Sequence, residues 1–402
     1  MQVSETSPVA VVSGVTAAVQ GETLLDQGWT ALRRDDWRRA EQHFHRALAI
    51  GQAASDPEDL AVAARLGLAH VRYSEGDPGL ALAEGLRALA DAAGRADHYG
   101  WEIPLHQLLA DTCAEVGAPQ RSIGFRLSVI RLLRGETGAD SFEVAEACYQ
   151  LGETLLALGV YGGAAAGLAE AVRILEMYQP EERRSLMEVQ LLQARALARA
   201  GRFDDAEAVF QSLLPLMRRV RGEGSAEEAA LWTNRGAALA AQKRFSEAGA
   251  MFERANMLRA ADPETTPERM AILWSYWSAL LRAEGNLARA RDLAERAVRA
   301  LEEAVAPARY LAFEALGRAI EEQGDYVKAE TVCRRALERM RRDGVLDLFE
   351  FSRMMLWHAA LLDRNGREQE GDEARARASE AIERLAKVPA LDAWTPASPR
   401  VA

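Results

Sequence analysis

Lysine is nearly absent. Lys243, Lys328 and Lys387 are the only three among 49 basic residues, so 46 are arginine. With the heavy use of alanine, this is the compositional mark of a GC-rich bacterial genome, and it leaves little for lysine modification to act on. Cysteine is almost as scarce: Cys113, Cys148 and Cys333 are far apart, with no C-x-x-C pair and no disulfide framework. Cys148 and Cys333, at positions that are apolar in other copies, read as small buried hydrophobes, and the setting as reducing and cytoplasmic. No lysine or arginine precedes the short apolar run near the start, and Glu5 sits ahead of it, which is wrong for a secretory signal. No uncharged apolar stretch is long enough to span a bilayer. Excess positive charge is missing too. A net charge of −11 and a pI near 5.3 argue against nucleic acid or an anionic membrane as the partner.

Catalytic signatures are equally lacking: the chain has no H-E-x-x-H, G-x-S-x-G, Walker A or Rossmann fingerprint. His43 and His45 are two apart and, on a helix, point in different directions. The adjacent carboxylates Glu302 and Glu303, or Glu321 and Glu322, read as solvated faces. Neither enzymatic activity, a metal nor a cofactor is expected.

What the chain has instead is repetition. "QGDYVKAETVCRRAL" at 323 shares a skeleton with "AGRFDDAEAVFQSLL" at 200, "QKRFSEAGAMFERAN" at 242, "RDDWRRAEQHFHRAL" at 34 and "LGVYGGAAAGLAEAV" at 158. The shared alanine anchors fall at Ala40, Ala81, Ala164, Ala206, Ala248, Ala290 and Ala329, with weaker copies centred on Ser122 and Gly371. Their spacings are 41, 41, 42, 42, 42, 42, 39 and 42, the period of a solenoid. One continuous core serves such an array, so residues 21–387 read as a single repeat domain between disordered segments 1–20 and 388–402.

Each repeat reads as two helices, A and B. Five residues before the anchor, Gly76, Gly159, Gly201, Gly285, Gly324 and Gly366 end helix A in the left-handed conformation. Asp36, Asp77, Asn286 and Asp325 follow as N-caps of helix B. Small residues twelve before the anchor, such as Gly28, Gly152, Gly236 and Gly317, let A and B approach closely. An aromatic three before it (Trp37, Tyr161, Phe203, Phe245, Tyr326) is expected to fill the volume beside that crossing. A small residue seven after it, such as Ala47, Ala255 or Ala336, admits the next helix A.

This grammar resembles the tetratricopeptide repeat family, most closely in "LGETLLALGVYGGAAAGLAEAV" and "LGRAIEEQGDYVKAETVCRRAL"; the period near 42 and phrases such as "RGETGADSFEVAEACYQLG" are similar to the kinesin light chain subtype. The resemblance implies an all-α fold, a right-handed α-solenoid or superhelix of about nine helix-turn-helix units, the ninth a polar cap. It also implies that helix A residues 18, 14, 11 and 7 before the anchor line a concave groove that binds a peptide or protein segment.

On that stripe the first repeats carry Glu22, Asp26, Trp29 and Arg33, then Ala63, Gly67, His70 and Ser74. Asp111, Glu115, Glu146 and Glu153, with Gln150 among them, make repeats three and four acidic. Repeat five reverses the sign with Arg195 and Arg199, repeats six and seven place Asn234 and Tyr276 among alanines, and repeat eight adds Arg318. Asparagines at the place of Asn234 in "WTNRG" contact peptide backbones in kinesin light chain repeats, a role the resemblance carries to Asn234, with Gln150 a weaker analogue. The candidate groove residues are thus Gln150, Arg195, Arg199, Asn234, Tyr276 and Arg318. They call for an acidic partner with a bulky apolar side chain.

A non-enzymatic scaffold or adaptor is the first functional expectation. The alternative is a peptide-sensing regulator resembling quorum-peptide receptors, although repeats beginning near residue 21 leave no room for the N-terminal DNA-binding or helical effector domain those receptors usually carry. The tail "KVPALDAWTPASPRVA", with Trp394 near Asp392, makes self-association through the groove a further expectation.

Overall fold

Five residues before every anchor the backbone turns left-handed. Gly76, Gly117, Gly159, Gly201, Gly285, Gly324 and Gly366 have φ between +72° and +88°, which closes helix A without a Cβ clash. The helix restarts at once. The carboxylates of Asp36, Asp77 and Asp325 and the side-chain oxygen of Asn286 accept from the N–H three residues on, at 2.9–3.4 Å.

The structure, a computed structural model, describes residues 8–53, 60–92, 100–178, 183–301, 309–342 and 347–386. Every regular element among them is an α-helix. The chain falls into two compact units, Met1–Ala139 and Asp140–Ala402. In the first, α1 (Pro8–Leu32) pairs with α2 (Trp37–Ala53), α3 (Leu60–Ser74) with α4 (Pro78–Ala92) and α5 (Glu102–Glu115) with α6 (Pro119–Glu136). In the second, the pairs begin with α7 (Phe142–Ala157) and α8 (Tyr161–Leu175), α9 (Arg183–Arg199) and α10 (Phe203–Arg221), and α11 (Ala226–Ala241) and α12 (Phe245–Ala261). They continue with α13 (Pro267–Ala283) and α14 (Leu287–Ala300), α15 (Arg309–Glu321) and α16 (Tyr326–Arg342), and α17 (Leu348–Arg364) and α18 (Glu368–Ala386). This is an all-α helical repeat solenoid. Helix α1 begins at Pro8, inside the segment 1–20 expected to lack structure, while the tail 388–402 lies outside the described residues.

The seven anchor alanines and Ser122 are fully buried, as are Ala47, Ala255 and Ala336 where the next helix A packs. The aromatic three before the anchor does not do what its position suggested. Trp37 and Tyr326 are exposed, Phe203 and Phe245 half-buried, and only Tyr161 is enclosed. The crossing is filled by the residue four after the anchor: Phe44, Leu168, Phe210 and Phe252 are buried there. A Cβ on Gly28 would stand 2.6 Å from the Phe44 ring, on Gly152 2.5 Å from Leu168 and on Gly236 2.8 Å from Phe252, so the glycines are notches for these side chains. Gly67, expected on the open stripe, is buried against the other side of Phe44.

Two repeats place another residue at the left-handed position, Asp35 (φ 58°) and Lys243 (φ 62°). An L-residue there costs roughly 1–2 kcal/mol, and the Lys243 side chain is exposed. Lys243→Gly is therefore expected to raise stability by about 1 kcal/mol, read as a higher urea midpoint with an unchanged slope.

Candidate functional site: an alanine-lined cavity and the ion cluster beside it

Three successive A helices of the second compact unit, α9, α11 and α13, leave a cavity of about 330 Å³ near their C-terminal ends, lined mainly by alanine. Ala198, Ala237, Ala240, Ala241, Ala279 and Ala283 form its walls, with Phe203 and Phe245, the opening residues of α10 and α12, at its end. Small side chains at groove positions of three consecutive repeats thus become a space that bulkier side chains would have filled. Arg195, Arg199, Asn234 and Tyr276 complete the lining.

Four of the six residues singled out from the sequence therefore meet at one cavity, and Gln150 and Arg318 do not line it. Their electrical roles differ from the expected cluster of cations. Arg318 lies 3.8 Å from Glu314 and 3.6 Å from Glu321, with its guanidinium 4.2 Å from the centre of the Trp357 ring. Burial, only partly offset by those carboxylates, holds its pKa below the usual arginine value. Arg199 is held more tightly still. Arg195 alone of the three arginines is exposed and forms no ion pair among the described residues. Asn234, half-buried, makes no side-chain hydrogen bond among the described residues, so its amide has both a donor and an acceptor to offer.

Two of the residues that hold Arg199, Asp347 and Glu350, come from the other end of the unit. Its guanidinium donates to Glu350 and to the Tyr161 hydroxyl and lies 3.6 Å from Asp347. Tyr161 in turn donates to Asp347 Oδ2 at 2.7 Å, and its ring meets Phe349 edge-on at 5.6 Å. Asp347 caps α17 by accepting from the Glu350 N–H at 2.9 Å. Glu350 also accepts from Arg353, which donates a second fork to Glu314 on α15. One chain of charges therefore runs from α15 through the first turn of α17 to the end of α9 and the start of α8.

The backbone is shaped to permit this clasp. Gly159, in the α7–α8 turn, has φ 79°, and a Cβ on it would stand 2.5 Å from Asp347 Oδ1 and 2.8 Å from Phe349 Cβ. Burial opposes charge on Arg199, yet Glu350 foremost, with Tyr276 and Tyr161, raises its pKa, so it stays protonated. Burial likewise raises the pKa of Asp347 against the pull of its hydrogen bonds and of Arg199. Sequence reading missed this cluster because Tyr161 and Asp347 are 186 positions apart. The repeat grammar describes only contacts between neighbouring repeats.

Three of the four acidic stripe residues are also partnered. Asp111 pairs with Arg126 at 2.7 Å, and Glu115 and Glu153 accept at 2.6 Å from Tyr73 and Tyr149. Among the described residues no group of His, Cys, Asp and Glu is arranged to hold a metal ion, and no helix is long and apolar enough to cross a membrane.

Residues 185–255 and 312–344 match the tetratricopeptide repeat pattern. None of the curated proteins compared matches the chain. Among solved structures it is similar to a Rap protein complexed with Competence and Sporulation Factor, at 15% identity and a TM-score of 0.52, over 94% of this chain and 100% of that one. It is similar also to the Rap conjugation gene regulator of plasmid pLS20 in complex with a Phr peptide, at 14% identity and a TM-score of 0.52, over 92% and 98%. A third is the apo form of the quorum sensor NprR from B. thuringiensis, at 12% identity and a TM-score of 0.53, over 90% and 98%.

Proposed function

The chain is a tetratricopeptide repeat protein, and from that premise we propose that it is a non-enzymatic scaffold that grips an extended peptide or protein segment at the alanine-lined cavity. The observation that carries this reading is the coincidence of empty apolar volume with an unengaged amide, Asn234, and an unpaired cation, Arg195. An apolar ligand side chain fills the space between Ala237, Ala241 and Ala279. Asn234 pairs with the ligand backbone, and an acidic group is drawn to Arg195. With Arg199 and Arg318 engaged internally, the preference for acid rests on one arginine. Three free, buried cysteines suit a reducing compartment.

Fluorescence anisotropy with a labelled acidic peptide carrying one phenylalanine tests the reading. Changing that phenylalanine to alanine is expected to weaken binding by tenfold or more, and Arg195→Glu by a similar factor that shrinks at high salt. Equal binding of all these combinations would remove the cavity from consideration.

The clasp favours a second reading, a peptide-sensing regulator. Arg199 belongs both to the cavity wall and to the clasp, so a ligand carboxylate that engages it competes with Glu350 and Asp347 and shifts α17. The Rap and NprR structures are the neighbours such a role would suit. A short free peptide that binds as tightly as the same sequence within a protein, and that alters hydrogen exchange at the start of α17, favours sensing over scaffolding.

A further inference from the structure

Eleven residues after each anchor lies a position at or near the end of helix B. Eight repeats place an apolar residue or glycine there: Gly51, Ala92, Leu133, Leu175, Met217, Leu301, Met340 and Ile382. The sixth places Arg259. It is 6% exposed, and its Nε is enclosed with no hydrogen-bond partner. No carboxylate pairs with its guanidinium among the described residues.

The charges nearest to it do not neutralise it. Arg269, exposed on the first turn of α13, repels it. Asp262 is already committed, Oδ1 accepting from the Glu264 N–H at 2.9 Å and Oδ2 from the Thr265 hydroxyl at 3.1 Å. Burial, reinforced by Arg269 and only partly offset by Asp262, lowers the pKa of Arg259 to about 10, which leaves it charged at neutral pH. A buried charge without an ion-pair partner is strongly unfavourable, and an apolar side chain, as most sister repeats have, would remove the cost. The terminal nitrogens likewise have no hydrogen-bond partner among the described residues, and a guanidinium offers its donors as a planar fork.

We propose that Arg259, with Arg269 at its rim, forms an oxyanion-binding site at the α12–α13 corner that takes a phosphate or carboxylate group. The site is independent of the alanine-lined cavity. Phe245 and Arg259 lie at opposite ends of α12, roughly 21 Å apart for 14 residues at about 1.5 Å each.

Thermal unfolding of the full chain in sodium phosphate, sodium acetate and sodium chloride at equal ionic strength tests the site. Phosphate, acetate or both are expected to raise Tm above chloride by about 1–3 °C in a saturable manner; which of them does so assigns the group. Arg259→Met is expected to melt no lower than wild type in chloride and to lose the anion increment. Equal increments in both proteins would reduce the effect to general salting, and a Met variant that melts lower in chloride would show a guanidinium already satisfied; either overturns the proposal. Arg259→Lys keeps the charge without the fork and is expected to lose more than half of the increment. A full increment in the Lys variant also overturns it.

Discussion

Replacing Glu350 with alanine is expected to cost about 3–5 kcal/mol, the range for removing one partner of a buried ion pair. Glu350 is 4% exposed, and its carboxylate is the joint between Arg199 and Arg353. Without it both guanidinium groups lose a counter-charge in a site that also contains the raised pKa of Asp347. A repeat array ordinarily melts as a sum of nearest-neighbour terms. The clasp ties repeat nine to repeats four and five, so Glu350→Ala is also expected to broaden the urea transition as the last repeats uncouple from the fourth and fifth. A loss below about 1 kcal/mol, the level of a surface pair, would show that the clasp is not closed in solution.

Phe252→Ala is expected to destabilise by about 3–5 kcal/mol. Phe252 is fully buried in the notch made by Gly236, and no neighbouring helix can close the void without tilting the α11–α12 crossing. The reciprocal change, Gly236→Leu, drives a side chain into the ring and is expected to cost about 1–3 kcal/mol. Urea unfolding reads both, and unchanged midpoints would mean that the helices cross elsewhere.

What could be read from the sequence was local. The left-handed turn at Gly201 or Gly285 and the caps at Asp36 and Asn286 depend on a few adjacent residues, and each repeat restates them. The meeting of Arg195, Arg199, Asn234 and Tyr276 was legible because a helix stripe in neighbouring repeats is the same local rule applied three times. The aromatic at Phe203 was misread because spacing alone cannot say which side of the crossing a side chain faces. Phe252, four residues after its anchor, fills that volume instead. The engagement of Arg199 by Glu350 lay beyond reach, since a contact between residues 151 positions apart depends on small rotations accumulated over several repeats. Arg259 was visible as a charge in an apolar register, yet only its burial without a partner gave the exception meaning.

The most direct measurement is isothermal titration of an acidic, phenylalanine-containing peptide into wild type, Ala237→Phe, Asn234→Ala and Asp26→Ala. Ala237→Phe fills the cavity and Asn234→Ala removes the amide, whereas Asp26 is an exposed stripe residue of the first repeat. A cavity-centred site predicts at least a tenfold loss of affinity, about 1.4 kcal/mol, for each of the first two variants and none for Asp26→Ala. Intact binding by Ala237→Phe and Asn234→Ala, with loss in Asp26→Ala, would contradict it and move recognition to the first compact unit.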